Sequence, residues 1–265
     1  MISPLAHIHK DAKIGVNVKI DPFAVIQEDV VIGENTHIMS HAVIMRNSTI
    51  GTSCHIFPGA VIGAIPQDLK FNGEETFVEI GNNTTIREFV TVNRGTKDKW
   101  KTVVGNNCLL MAYCHIAHDC IIGDHAIIAN SVQLAGHVEI GEYATLGGLA
   151  AAIQFARVGA HSYIAGGTEI IKDIPPYIKA GRSPISYVGV NSVGLQRRGF
   201  SSGKINSILE IYRNIYNRGL NITQATYFIE NELPESEERN EIIKFIKGSK
   251  RGVLKAVGKG NNDED

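Results

Sequence analysis

Isoleucine recurs at every sixth residue from Ile2 to Ile62 without a miss. The same register returns at Ile80, Ile86 and Val92. It then runs on through Val104, Leu110, Ile116, Ile122, Ile128, Leu134, Ile140 and Leu146 to Val158, Ile164 and Ile170. A helix repeats its apolar face every 3.6 residues and a half-buried strand every two, so a period of six excludes both as the long-range pattern. A sustained hexapeptide repeat predicts a parallel β-helix, in which each short strand stacks on its counterpart one coil earlier.

Two further patterns set the coil. The residue two before the beat is repeatedly small, as at Ala6, Ala24, Ala42, Ala60, Thr84, Ala126 and Ala144. Residues i and i−2 of a strand share a face, so each hexapeptide sends one large and one small side chain inward. Cys54, Cys108, Cys114 and Cys120 fall on this small position, which reads as reduced packing residues rather than a disulfide or zinc framework. Gly15, Gly33, Gly51, Gly105, Gly123, Gly141 and Gly159 differ by 18 or its multiples. Glycine marks tight corners. Three faces per coil, with glycine at one corner, describe a triangular prism.

Asp68, Glu74 and Asp98 stand on the beat where an apolar residue is due. They lie in polar stretches at 64–79 and 94–103, which are expected to be external loops. Loops on a rigid scaffold often carry function. The prism is expected over 1–186, with the repeat ending near Pro175-Pro176 and a linker at 177–186.

A small helical domain is expected over 187–265. One helix begins at Ser201 and ends by Gly219. A second is capped by Asn221 or Thr223, and a third follows Pro234 and runs to Lys247; the tail 258–265 is expected to be disordered. Two basic runs stand out. Arg197, Arg198, Lys204, Arg213 and Arg218 have only Glu210 among them. Lys244, Lys247, Lys250, Arg251, Lys255 and Lys259 have no acid. A run of that kind is a solvated face or a dock for an acidic or phosphorylated partner. Net charge is −1, which gives no reason to expect nucleic acid. No stretch resembles a signal peptide or a membrane helix, so a cytoplasmic protein without membrane insertion is expected.

The candidate chemistry sits in Cys114-His115-Ile116-Ala117-His118-Asp119-Cys120. His115 and His118 are off both inward positions. Histidine suits general-base work near neutral pH, and an adjacent carboxylate can orient the ring. His137 follows Asp119 by 18 residues, one coil, on the same edge of the prism. Gly136 beside it has no side chain to cover its N–H, a candidate oxyanion donor.

These segments resemble the UDP-N-acetylglucosamine acyltransferases of lipid A synthesis, within the hexapeptide-repeat acyltransferases. The likeness includes Gln67-Asp68-Leu69-Lys70, Ile86-Arg87-Glu88, Asn93-Arg94-Gly95-Thr96, the histidine segment, Gln154-Phe155 and the Arg197-Arg198-Gly199-Phe200 helix entry. The resemblance implies a homotrimer of left-handed β-helices, an exception to the usual right-handed crossover, with active sites between subunits. It implies transfer of an (R)-3-hydroxyacyl chain from acyl carrier protein to the 3-hydroxyl of UDP-N-acetylglucosamine, without metal or organic cofactor.

His118 would be the base, Asp119 its orienting partner and Gly136 the oxyanion donor. Asp68, Lys70, His115, His137 and Gln154 match sugar- or acyl-contacting positions. Asn191, Arg197 and Arg198 match the nucleotide-diphosphate end. Gly166 matches the position that limits acyl-chain length. Asn93, Ile153 and Val193 depart from the family, standing where well-known members carry histidine, histidine and an acid. Some members accept a 3-amino sugar analogue. The later N-acyltransferase of the same pathway and a zinc-dependent γ-type carbonic anhydrase are the alternatives.

Overall fold

The computed structural model describes residues 1–256. Two-residue strands form at nearly every beat and pair in parallel with the strand one coil away, giving the three faces of a triangular prism. The first face stacks nine strands from His7–Ile8 to Glu169–Ile170. The second stacks eight from Lys13–Ile14 to Arg157–Val158, and the third ten beginning at Lys19–Ile20. Ile8 lies opposite Ile26, Ile26 opposite Ile44, and Ile44 opposite Ile62. The beat is therefore a ladder of superposed side chains, and it fills the core. All four cysteines are buried and free, with the Cys114 thiol donating to the Ala129 carbonyl at 2.9 Å.

The glycine column sits at a corner, as expected, but for another reason. The left-handed backbone belongs to the residue two further on: Asn17, Asn35, Asn107, His125, Tyr143 and His161 all have φ near +60°. The glycines are required by stacking. A Cβ on Gly33 would lie 2.6 Å from the Gly51 carbonyl carbon, and one on Gly123 would lie 2.6 Å from the Glu142 nitrogen. No side chain fits where successive coils approach this closely.

Both excursions leave the same edge, between the first and second faces. The chain departs after Val61–Ala64 and returns at Phe77–Ile80; it departs again after Thr91–Asn93 and returns at Lys101–Val104. Each is shorter than the expected loop because the strands extend into it. Phe77 pairs with Lys101 and Ala64 with Asn93.

The segment expected as a linker at 177–186 contains a strand instead. Ile178–Gly181 continues the third face in parallel with Tyr163–Ile164, and Ser186–Val190 folds back antiparallel on it. The prolines end the six-residue beat, but Ile178 and Ala180 still alternate inward and are buried.

Among the described residues four helices follow: α1 Ser192–Arg197, α2 Ser202–Tyr216, α3 Ile222–Glu232 and α4 Glu237–Lys247. The first is too short for a periodic signal. Ser201, Asn221 and Ser236 cap the other three, Asn221 in a reciprocal capping box with Gln224. The Tyr212 hydroxyl donates to the Pro176 carbonyl, and the Tyr177 hydroxyl bonds the Glu241 carboxyl, so α2 and α4 are tied to the last coil. The basic runs do find acids on neighbouring helices, Lys204 on Glu238 and Lys247 on Glu230. Residues 258–265, including Lys259, lie outside the described residues.

Candidate active site

On the edge between the first and second faces, His118-Asp119, Gly136-His137 and Gln154-Phe155 occupy the same turn in three successive coils. The second residue of each pair has φ near +60°. The second excursion folds over the lowest of these turns. Its Thr96 and Lys99 backbone N–H groups donate to Asp119 Oδ1 at 2.9 and 3.2 Å, and the Thr96 hydroxyl donates to Oδ2 at 2.6 Å. The Asp119 N–H donates in turn to Thr102 Oγ1 at 2.9 Å. His118 Nδ1 lies 2.8 Å from Asp119 Oδ2.

A carboxylate only accepts, so His118 Nδ1 carries the proton and Nε2 keeps its lone pair. Asp119 is fully buried. Burial alone would push its carboxyl up, but hydrogen bonds from His118 and Thr96 outweigh that and hold it below the ordinary carboxylate range. The result is an imidazole locked in one tautomer and one orientation.

Gly136 lies against the other side of the ring. A Cβ there would sit 2.6 Å from His118 Nε2 and 2.5 Å from Cε1, so any side chain would displace the imidazole. Among the described residues the Gly136 N–H has no protein acceptor. His137 meets His118 edge-on at 5.0 Å and stacks on Phe155 at 4.4 Å. Burial pushes the His137 pKa down, with the Asp119 charge opposing. His115 Nδ1 lies 2.7 Å from the Thr91 hydroxyl, and burial lowers its pKa too. A cleft of about 670 Å³ opens beside this group, lined by Asp98, Lys99, His137, Phe155 and Arg157 among others.

Ligand atoms of His118, Asp119 and His137 fall within 4.8 Å of one another, the spacing of a metal site. The donor chemistry does not suit one. Asp119 already accepts four hydrogen bonds, which use all its acceptor positions.

The remaining expected residues are not gathered here. Asp68 and Lys70 lie on the same edge two coils earlier, in an exposed excursion where the Lys70 N–H bonds Asp68. Gln154 is exposed above Gly136. Gly166 turns the edge between the third and first faces, against Gly148. Asn191, Arg197 and Arg198 lie at α1, near the edge between the second and third faces. There Asn191 Nδ2 donates to the His161 carbonyl at 2.9 Å, and the Arg198 guanidinium covers the Tyr143 ring at 5.4 Å. Of the departures, Asn93 is buried with its Oδ1 unpartnered among the described residues, whereas Ile153 and Val193 are exposed. Thr96 and Thr102 were not singled out from the sequence as site residues. A threonine carries no signal until the loop brings it to the carboxylate.

The family model described as Udp N-acetylglucosamine O-acyltransferase, Domain 2, matches residues 173–254. That for bacterial transferase hexapeptide repeats matches 11–46, 29–64 and 101–136. A relative from Janthinobacterium sp. (strain Marseille), named acyl-(acyl-carrier-protein) UDP-N-acetylglucosamine O-acyltransferase, is 41% identical over 73% of this chain and 76% of its own length. Among solved structures, the UDP-N-acetylglucosamine acyltransferase from Bacteroides fragilis 9343 is 53% identical with a TM-score of 0.95, covering 96% of this chain and 100% of the other. The Arabidopsis enzyme is 31% identical with a TM-score of 0.87, covering 96% and 100%.

Proposed function

The chain belongs to the UDP-N-acetylglucosamine O-acyltransferases and catalyses the acyl transfer that opens lipid A synthesis, with acyl carrier protein and UDP-N-acetylglucosamine as substrates, and we propose that His118 is its general base. The fold is accordingly a left-handed parallel β-helix with a C-terminal helical domain. The observation that carries the mechanism is the His118–Asp119 pair, whose only free ring nitrogen, Nε2, lies against Gly136.

In this reading His118 Nε2 takes the proton of the sugar 3-hydroxyl as its oxygen attacks the thioester carbonyl of an (R)-3-hydroxyacyl group. The Gly136 N–H holds the oxyanion. The C–S bond then breaks, the carbonyl reforms, and the imidazolium returns its proton to the departing thiolate. Asp119 fixes the tautomer and stabilises the imidazolium.

We place the complete site between copies of the chain in a homotrimer. The expected contacts lie on three different edges of one prism: Asp68, Lys70, His115, His137 and Gln154 at or beside the His118 edge, Gly166 on the second, and Asn191, Arg197 and Arg198 by the third. One copy's histidine edge against another's remaining edges would unite them. Gly166 would leave room for a longer acyl chain than a bulky residue. The cytoplasm is the compartment that goes with this reading.

The test is product mass after incubating UDP-N-acetylglucosamine with a panel of (R)-3-hydroxyacyl carrier proteins. The wild type should add one hydroxyacyl group, and the donor ranking reports the chain length. His118→Ala should lose roughly 10²–10⁴ in rate with its circular dichroism unchanged. Full activity in that variant would remove the general base from the mechanism.

A further inference from the structure

Two buried polar atoms near α1 lack a partner among the described residues: Nη1 of Arg198 and Nδ1 of His161. The two side chains are neighbours, since the Arg198 charge adds to burial in lowering the His161 pKa to about 4. Both belong to one aromatic column. His125, Tyr143, His161 and Tyr177 occupy the same turn in successive coils and stack at 4.3, 4.9 and 5.5 Å, within 14° of parallel. Phe200 closes the column edge-on against His161 at 5.1 Å. The Arg198 guanidinium lies over the Tyr143 ring. Asn191, another of the residues assigned to this end, is held by the His161 backbone carbonyl.

A partly desolvated guanidinium binds an anion strongly, and a long flexible side chain must be held in place to present it. We propose that Tyr143 and His161 are positioning residues for the nucleotide end of the site, packing the inner side of the Arg198 guanidinium so that its outer N–H groups meet the diphosphate of the UDP-sugar. The inference rests on the reading of the chain as a UDP-sugar acyltransferase with Arg198 at its diphosphate. It adds that the prism wall, rather than the helix carrying Arg198, sets the guanidinium plane. Tyr143 acts through its ring face, so its hydroxyl is dispensable. Protonating His161 would place a second cation beside Arg198, so the column works with neutral imidazole.

The test is steady-state kinetics of Tyr143→Leu, Tyr143→Phe, Arg198→Ala and the Tyr143→Leu/Arg198→Ala double variant, with both substrates varied. Tyr143→Leu should raise KM for the UDP-sugar roughly three- to tenfold, the loss expected for one cation–π contact. Its kcat and its KM for the acyl carrier protein should stay near wild type. Tyr143→Phe should match wild type, and Tyr143→Leu should add nothing in the Arg198→Ala background. A normal KM for the UDP-sugar in Arg198→Ala would overturn the assignment of Arg198 itself. A raised KM in Arg198→Ala with a normal one in Tyr143→Leu would overturn only the positioning role. A fall in kcat, or a full effect of Tyr143→Leu in the absence of Arg198, would equally reject positioning.

Discussion

The fold constrains the charge state of His161. In the unfolded chain a histidine takes up its proton near pH 6.5, whereas the folded His161 does so only at about 4, chiefly because it is buried. Between those values the unfolded state binds more protons, so stability falls as pH drops from 6.5 towards 4 and is level above 6.5. The full effect is on the order of 3 kcal/mol. His161→Phe keeps the stack and fits the left-handed turn, since Phe89 and Phe155 occupy equivalent backbone conformations. Thermal melts at pH 7 and pH 5 should therefore differ less in His161→Phe than in the wild type, and an unchanged difference would assign the loss to other groups. At the His118 edge Thr96→Val removes one of the four hydrogen bonds to Asp119. Activity should fall roughly five- to thirtyfold, the effect of a lost charge-assisted bond of about 1–2 kcal/mol, while the fold persists. His118, Asp119, His137 and Gly136 could be read from the sequence because the 18-residue coil makes linear spacing report spatial stacking. Thr96, Thr102 and His161 could not, because a loop path and an aromatic column both depend on contacts that no period encodes.

At the scale of the element, the prism has two stacking demands that differ in kind. The beat residues fill volume, and Ile122→Ala should cost about 2–5 kcal/mol through the cavity it leaves. The glycine corner excludes volume. Gly123→Ala should cost about 1–3 kcal/mol by forcing coils apart where its Cβ would meet the Glu142 nitrogen at 2.6 Å. Denaturant unfolding of both variants checks the pair, and a neutral Gly123→Ala would mean that the corner relaxes freely. The periodicity carried the strands almost residue for residue, since the beat fixes which side chain points inward. It missed Ile178–Gly181 because a single strand after two prolines is too short to show a period. It missed α1 for the same reason.

For the whole molecule, the proposed trimer, with the expected contacts distributed over three edges, would make activity a property of the assembly. Light scattering should give a mass three times the 28.8 kDa chain. Turnover per chain should fall on dilution below the concentration at which the trimer dissociates, and a fully active monomer would refute the shared site. Transfer should also weaken with salt if the basic residues of the helical domain receive an acidic carrier protein.

The two ends of the prism are not alike. The last coil is closed by the antiparallel return Ser186–Val190 and by α2 and α4, whereas the first coil leaves Ile2 and Leu5 exposed and Ile8 and Ile14 only partly covered. A stack held together by nearest-neighbour terms loses structure from its weaker terminus. Amide hydrogen exchange should therefore run as a gradient, fastest at His7–Ile8 and slowing coil by coil towards Ile116. The His118 edge, in the sixth coil, would stay protected while the amino-terminal coils fray and re-zip.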